Sequence, residues 1–223
     1  MDKDRKIAAS VGALFIVGTV SGVLSVVFSS PVLGVPDYLG QVAAQPNSLI
    51  LAALCVLAMG LSLAMVPVII YPVLKRHNQT LALGYVVVRG ALETTTYIAA
   101  AICWFMLIIF AQEIAGTGEM QTLAVQATGA AFKDAGDWIG VITAIMFSTG
   151  ALMLYTVFFR SGLIPRWLSG WGFVAIILHL VAAFLALFGV VGTFSTPQML
   201  LNLPIAVQEM VMAVWLIVRG FRH

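Results

Sequence analysis

Charge is what this sequence lacks most. Asp, Glu, Lys and Arg make up only 9% of its 223 residues, against roughly 25% in soluble globular proteins. A water-facing surface cannot be assembled from so few ionised groups, and a mean hydropathy of +1.06 makes lipid the expected solvent. With a formal net charge of only +2 there is no basic stripe and no aromatic-basic interleaving, so nucleic acid is not an expected partner. Cysteine is nearly absent. Cys55 and Cys103 lie in apolar stretches without metal-type spacing and read as small buried side chains. Catalytic signatures are missing as well: no Gly-x-Ser-x-Gly, no His-Glu-x-x-His, no phosphate-binding glycine loop, no Cys-x-x-Cys. No metal or cofactor is expected. A single histidine inside the apolar stretches leaves no second ligand for two-histidine haem binding within the chain.

What the sequence has is long hydrophobic runs. A helix needs about 20 apolar residues to cross the bilayer core. Six stretches qualify, at about 7–28, 48–74, 81–112, 136–159, 168–192 and 200–218. The expected fold is therefore all-α: one domain, residues 1–223, forming an integral membrane bundle of six transmembrane helices. The first stretch exceeds the apolar core of a signal peptide and reads as an uncleaved anchor. Basic residues alternate between loops. Lys3, Arg5, Lys6, Lys75, Arg76, Arg160, Arg166, Arg219 and Arg222 fall on one side, and only Lys133 on the other. That asymmetry places both termini in the cytoplasm.

The outer connections carry further patterns. Residues 37–45, beginning Asp37-Tyr38-Leu39, are expected to form a short helix on the membrane surface. Residues 119–133 are expected to do the same, with Met120, Leu123 and Ala127 against the bilayer. Asp134 and Asp137 read as the solvated start of the fourth span, favourable near an N-terminal helix dipole. Trp167, Trp171 and Trp215 fall toward the inner interface and Trp138 toward the outer, as aromatic belts do. Gly18 with Gly22, and Ala144 with Ser148, have the small-residue spacing of close helix packing. Pro67 removes a backbone hydrogen bond inside the second span, which kinks it or frees a carbonyl.

Three strongly ionised side chains lie deep inside the spans: Arg89, Glu93 and Glu209. Each costs about 2.5–3.5 kcal/mol on insertion scales, so each should face a protein interior or a wet cavity. Counted at 1.5 Å per residue from the inner ends, Arg89 lies ~12 Å in, Glu93 ~18 Å, Glu209 ~15 Å and His179 ~16 Å. Ser148 and Thr149 fall at a similar level. Arg89 and Glu93, four residues apart, share a helix face and can pair; Tyr85, Thr96 and Tyr97 extend that face. Glu209 has no partner on its own helix. Either it shares Arg89 across the bundle, or it is protonated. Gln208 beside it offers a donor and an acceptor. The candidate ligand or proton site is thus Arg89, Glu93, His179, Gln208 and Glu209, with no catalytic residue assigned. The same Arg and Glu residues would equally serve to lock helices three and six together.

Several stretches together resemble a known family. They are Tyr71-Pro72-Val73-Leu74-Lys75-Arg76-His77, Leu83-Gly84-Tyr85 with Arg89 and Glu93, Asp137-Trp138, and Arg160-Ser161-Gly162-Leu163-Ile164-Pro165-Arg166-Trp167-Leu168-Ser169. Last comes Pro204-Ile205-Ala206-Val207-Gln208-Glu209-Met210, running to Trp215 and Arg219-Gly220-Phe221. The pattern resembles the bacterial multi-pass membrane proteins catalogued as domain of unknown function 4386. The resemblance implies a bacterial cytoplasmic membrane. It carries no established activity, and its pattern includes the positions of Arg89, Glu93, Gln208 and Glu209 without separating structure from function.

Three functions compete. The first is a membrane protein that binds or transports a small molecule at its polar site; proton-coupled transport would then require Glu209. The second is a structural or accessory protein, with a membrane-protein partner, whose Arg–Glu cluster only joins helices. An intramembrane enzyme is third, and needs a reacting site within reach of His179 and a glutamate. In all three, the lipid bilayer is the constant partner.

Overall fold

The computed structural model describes residues 3–114, 119–192 and 195–222. Helices dominate from the start. α1 (Lys3–Leu33) is followed by the short α2 (Tyr38–Ala44) and by α3 (Pro46–Leu74). α4 (Gln79–Tyr85) runs through a π-helical stretch (Val86–Leu92) into α5 (Glu93–Ile114). α6 (Glu119–Ser161), α7 (Arg166–Leu187) and α8 (Thr196–Val218) complete the chain. Among the described residues, six helices are long and apolar enough to cross a membrane. The protein is an all-α multi-pass membrane bundle.

Local chemistry sets the helix ends. Asp37 Oδ1 accepts from Gly40 N at 3.3 Å and starts α2. Asn78 Oδ1 accepts from Leu81 N at 2.9 Å and starts α4, and Ser195 Oγ accepts from Gln198 N at 3.4 Å at the head of α8. Such caps satisfy N–H groups that no helical carbonyl can reach. α7 stops at Leu187 because Gly189 takes φ +67°, a left-handed turn that glycine adopts without strain. The fifth span therefore ends five residues earlier than its apolar run to residue 192 suggests.

Two expectations for the outer side change. Residues 119–133 are not a separate surface helix; they continue into the fourth span as one 43-residue helix. At 1.5 Å per residue that rod is about twice the thickness of the bilayer core. Ala127 is exposed on it, and the side chains of Met120 and Leu123 lie outside the described residues. Because α6 begins at Glu119, Asp134 and Asp137 sit in its interior rather than at its start, so an N-terminal dipole does not account for them. Lys133 Nζ lies 3.3 Å from Asp137 Oδ2, one turn away. The short helix expected at 37–45 does form, and it buries Leu39 and Val42.

The spans pack in chain order: α1 on α3, α3 on α5, α5 on α6, α6 on α7, α7 on α8. α8 then returns to α1 and closes a ring. Small residues permit the close approaches. A Cβ on Gly12 would meet the Ala213 carbonyl oxygen at 2.5 Å, and one on Gly18 would meet Leu63 at 2.7 Å. Gly22 faces Met59 in the same way, so Gly18 and Gly22 are packing residues. α3 stays helical through Pro67 and Pro72. The ends of the chain meet: Arg5 donates to the carbonyls of Ile217 and Val218, both at 2.8 Å. Arg76 bridges to Asp4 at 2.6 Å.

Candidate functional site

The ring has an axis, and polar side chains fill it. The π-helical stretch presents Arg89, only 1% exposed. Bonding from i to i+5 adds a residue to the turn, and such bulges recur at functional sites. Gly150 of α6 lets this widened turn approach: a Cβ there would lie 3.1 Å from Arg89 Cβ. Arg89 Nη2 donates to Glu209 Oε1 at 3.2 Å. Its Nη1 lies 3.6 Å from Glu93 Oε2, while Tyr97 donates its hydroxyl to Glu93 Oε1 at 2.7 Å. The phenyl rings of Phe147 and Phe15 face the guanidinium, with centroids at 4.6 and 5.7 Å. Two carboxylates and two aromatic faces thus enclose one cation, the arrangement that makes a buried charge tolerable.

Of the two outcomes open for Glu209, the geometry displays the shared arginine. Gln208 turns away from this cluster. It accepts from the Tyr155 hydroxyl at 2.6 Å and donates to the Leu168 carbonyl at 3.1 Å, tying α8 to α6 and α7. Thr96 links outward instead, receiving the Thr143 hydroxyl at 2.7 Å. The hydroxyl of Tyr85 and the Oγ of Ser148 are buried without a partner.

His179 belongs to a different place. Its ring meets Phe147 edge-on, with centroids 5.1 Å apart. Phe147 therefore stands with one neighbour in each region, Arg89 and His179. Beyond it, α6, α7 and α8 enclose a cavity of about 280 Å³, lined among others by Asp137, Ala144, His179, Gln198 and Asn202. Arg89, Glu93, Gln208 and Glu209 are not among its lining residues. Asn202 Oδ1 lies 2.7 Å from His179 Nδ1. Gln198, Asn202 and Glu209 form one stripe on α8, at four- and seven-residue spacing. That stripe gives its outer part to the cavity and its inner part to the ion cluster. Elsewhere, in α2, burial and the Asp134 carboxylate raise the Tyr38 phenol above its ordinary range.

The polar layer is thus divided. Arg89, Glu93 and Glu209 come together, Gln208 bonds beside them, and His179 faces a separate cavity. Asn202 and Gln198 escaped the sequence reading because uncharged amides do not stand out in an apolar run. The seven-residue register from Asn202 to Glu209 was a usable signal. Among the described residues, no group of three or more His, Cys, Asp and Glu is arranged to hold a metal ion.

Comparison with known proteins adds the family. A model described as Domain of unknown function (DUF4386) matches residues 10–220. Among curated proteins and among solved structures, none matches.

Proposed function

The chain belongs to the DUF4386 family, and we propose that it binds a small polar molecule in the cavity beside His179. In this reading it sits in a bacterial cytoplasmic membrane with both termini inside. The Arg89–Glu93–Glu209 cluster holds the ring closed behind the cavity. The observation that carries the proposal is a polar pair, His179 and Asn202 at 2.7 Å, within a cavity of about 280 Å³. Small-molecule sites combine mostly apolar walls with a few placed polar groups, and helices of a bundle commonly frame them. The cavity lies toward the end of the bundle whose loops are poor in Lys and Arg.

The Arg89 cluster supports the structural alternative for its own residues. It is enclosed by aromatic rings, and both of its carboxylates lie within ion-pair distance of the guanidinium. Transport would require Phe147 to move, since its ring touches both regions.

The test uses the protein in lipid nanodiscs and a library of small polar molecules, read by thermal unfolding. Gly140 lines the cavity and a Cβ there meets nothing within 4 Å, so Gly140→Leu starts from an unhindered position and adds bulk at that wall. Binding molecules should raise the melting temperature of the native protein and leave Gly140→Leu unchanged. If the stabilising molecules act equally on both proteins, the cavity is not the site.

A further inference from the structure

We propose that the Arg89 cluster is a proton-binding site: its two carboxyl groups hold one proton between them, and that proton resides on Glu93. The site lies on the axis of the ring, apart from the cavity beside His179.

Charge balance requires the proton. Arg89 is the only Lys or Arg within the six apolar stretches, and it faces two carboxyl groups, Glu93 and Glu209. With both ionised, the cluster carries one uncompensated negative charge. Arg89 and Glu93 are 1% and 0% exposed, and Glu209 is 9% exposed, so water does not screen that charge. A buried group in such a place takes up a proton instead of keeping its charge. The neighbours supply no second cation. Arg89 and the carboxyls themselves are the charged groups that act on Glu93 and Glu209. Tyr85 and Tyr97 on the same helical run, and Tyr155 on α6, add neutral phenols. α1 adds the ring of Phe15, α3 contains no Asp, Glu, Lys, Arg or His, and His179 of α7 stands behind Phe147. A metal cation would also balance the charge, but it needs several oxygen ligands. Among the described residues, no group of three or more His, Cys, Asp and Glu is arranged to hold one.

Hydrogen bonding places the proton. A carboxylate beside a guanidinium accepts a charge-assisted hydrogen bond from it. Glu209 does so, taking Arg89 Nη2 on Oε1 at 3.2 Å. Glu93 does not: its Oε2 and Arg89 Nη1 stand 3.6 Å apart, and both are buried without a hydrogen-bond partner. The other oxygen of Glu93 accepts the Tyr97 hydroxyl at 2.7 Å, a bond that a neutral acid also accepts. Either carboxylate can balance Arg89, but not both at once.

Infrared spectroscopy reads the proton directly, in a detergent that has no carbonyl group. At neutral pH the native protein should show the carbonyl stretch of one protonated carboxyl, and labelling with ¹³C-glutamate should shift it. Glu93→Gln removes the proton's carrier and should abolish the band. Glu209→Gln should abolish it too, because Glu93 must then ionise to balance Arg89. The site of residence is read from melting temperatures. Glu93→Gln replaces a neutral group with a neutral group and should melt with the native protein, whereas Glu209→Gln removes the ionised partner of Arg89 and should melt lower. Absence of the band from the native protein would overturn the proposal, and this measurement decides alone if a variant folds poorly. A band that survives in either variant would show that charge balance does not set the proton, and overturns the proposal as well. A larger fall in melting temperature for Glu93→Gln than for Glu209→Gln would overturn the assignment to Glu93.

Discussion

Arg89 and Glu209 meet at 3.2 Å across the centre of the ring, although 120 residues separate them in sequence. The third and sixth spans are not neighbours in the packing order, in which α5 sits between α3 and α6 while α8 sits between α7 and α1. The ion pair therefore spans the bundle rather than lining a seam. Helix association in a bilayer receives little hydrophobic help, because lipid tails are as apolar as the side chains they touch. A cation at the axis with carboxylates from two opposite helices supplies a directional alternative. The same enclosure plugs the axis with Arg89, Phe15 and Phe147.

Breaking this bridge should cost stability. Arg89→Leu removes the cation from between two buried carboxylates, and loss of one partner of a buried pair costs about 3–5 kcal/mol in soluble proteins. Glu209→Gln keeps an acceptor for the guanidinium and should cost only about 1 kcal/mol. Unfolding the single and double variants in mixed micelles gives the coupling, expected at about 1–3 kcal/mol for residues in contact. A coupling below about 0.5 kcal/mol, the additivity limit for independent sites, would make the bridge incidental.

The sequence displays depth well and direction poorly. Hydropathy locates the spans, because every residue facing lipid must be apolar, and the 1.5 Å rise converts sequence distance into height. Arg89, Glu93 and Glu209 do meet, while His179 pairs with Asn202, two turns along α8 from Glu209. Height leaves the angle around the ring open, and Phe147 separates His179 from the other three. The π-helical stretch was also invisible, since Val86–Leu92 carries no residue pattern that distinguishes i→i+5 from i→i+4 bonding. The length of α6 was obscured for another reason. Its outer third is too polar to read as a span, yet nothing in it breaks a helix, so it simply continues. The family motifs gain a structural account at the inner end. Arg222 N donates to the Leu163 carbonyl at 2.8 Å, and Phe221 packs toward Phe158 with ring centroids 6.4 Å apart, joining the Arg160–Ser169 motif to the Arg219–Phe221 motif.

The inner end predicts a role for Arg5 beyond topology. Its guanidinium caps two α8 carbonyls, where a cation also complements the helix dipole. Arg5→Met should cost about 1–2 kcal/mol and loosen the last turn of α8. Hydrogen exchange at residues 216–219 is the measurement. Protection there equal to the native protein's would show that the cap contributes nothing.

Topology is tested separately. With nine basic residues at one end and Lys133 at the other, a C-terminal green fluorescent protein should fluoresce in bacterial cells, and alkaline phosphatase at the same place should be inactive. The opposite pattern would invert the orientation and put the Lys133 end of the bundle on the cytoplasmic side.

Two glycines on opposite sides of the bundle give the last prediction, because they share a chemical change and differ only in surroundings. At Gly12, an added Cβ meets the backbone oxygen of Ala213 at 2.5 Å. Backbone cannot rotate away as a side-chain tip does, so Gly12→Ala must push α1 from α8. Overpacking of this kind costs about 1–3 kcal/mol. At Gly140, where a Cβ meets nothing within 4 Å, the same substitution only raises helix propensity and should stabilise by up to about 1 kcal/mol. Melting temperatures of the two variants in one detergent decide the matter. They should move in opposite directions. A fall of similar size in both would mean that the cavity wall at Gly140 is packed as tightly as the α1–α8 seam, and the space assigned to a ligand would not exist.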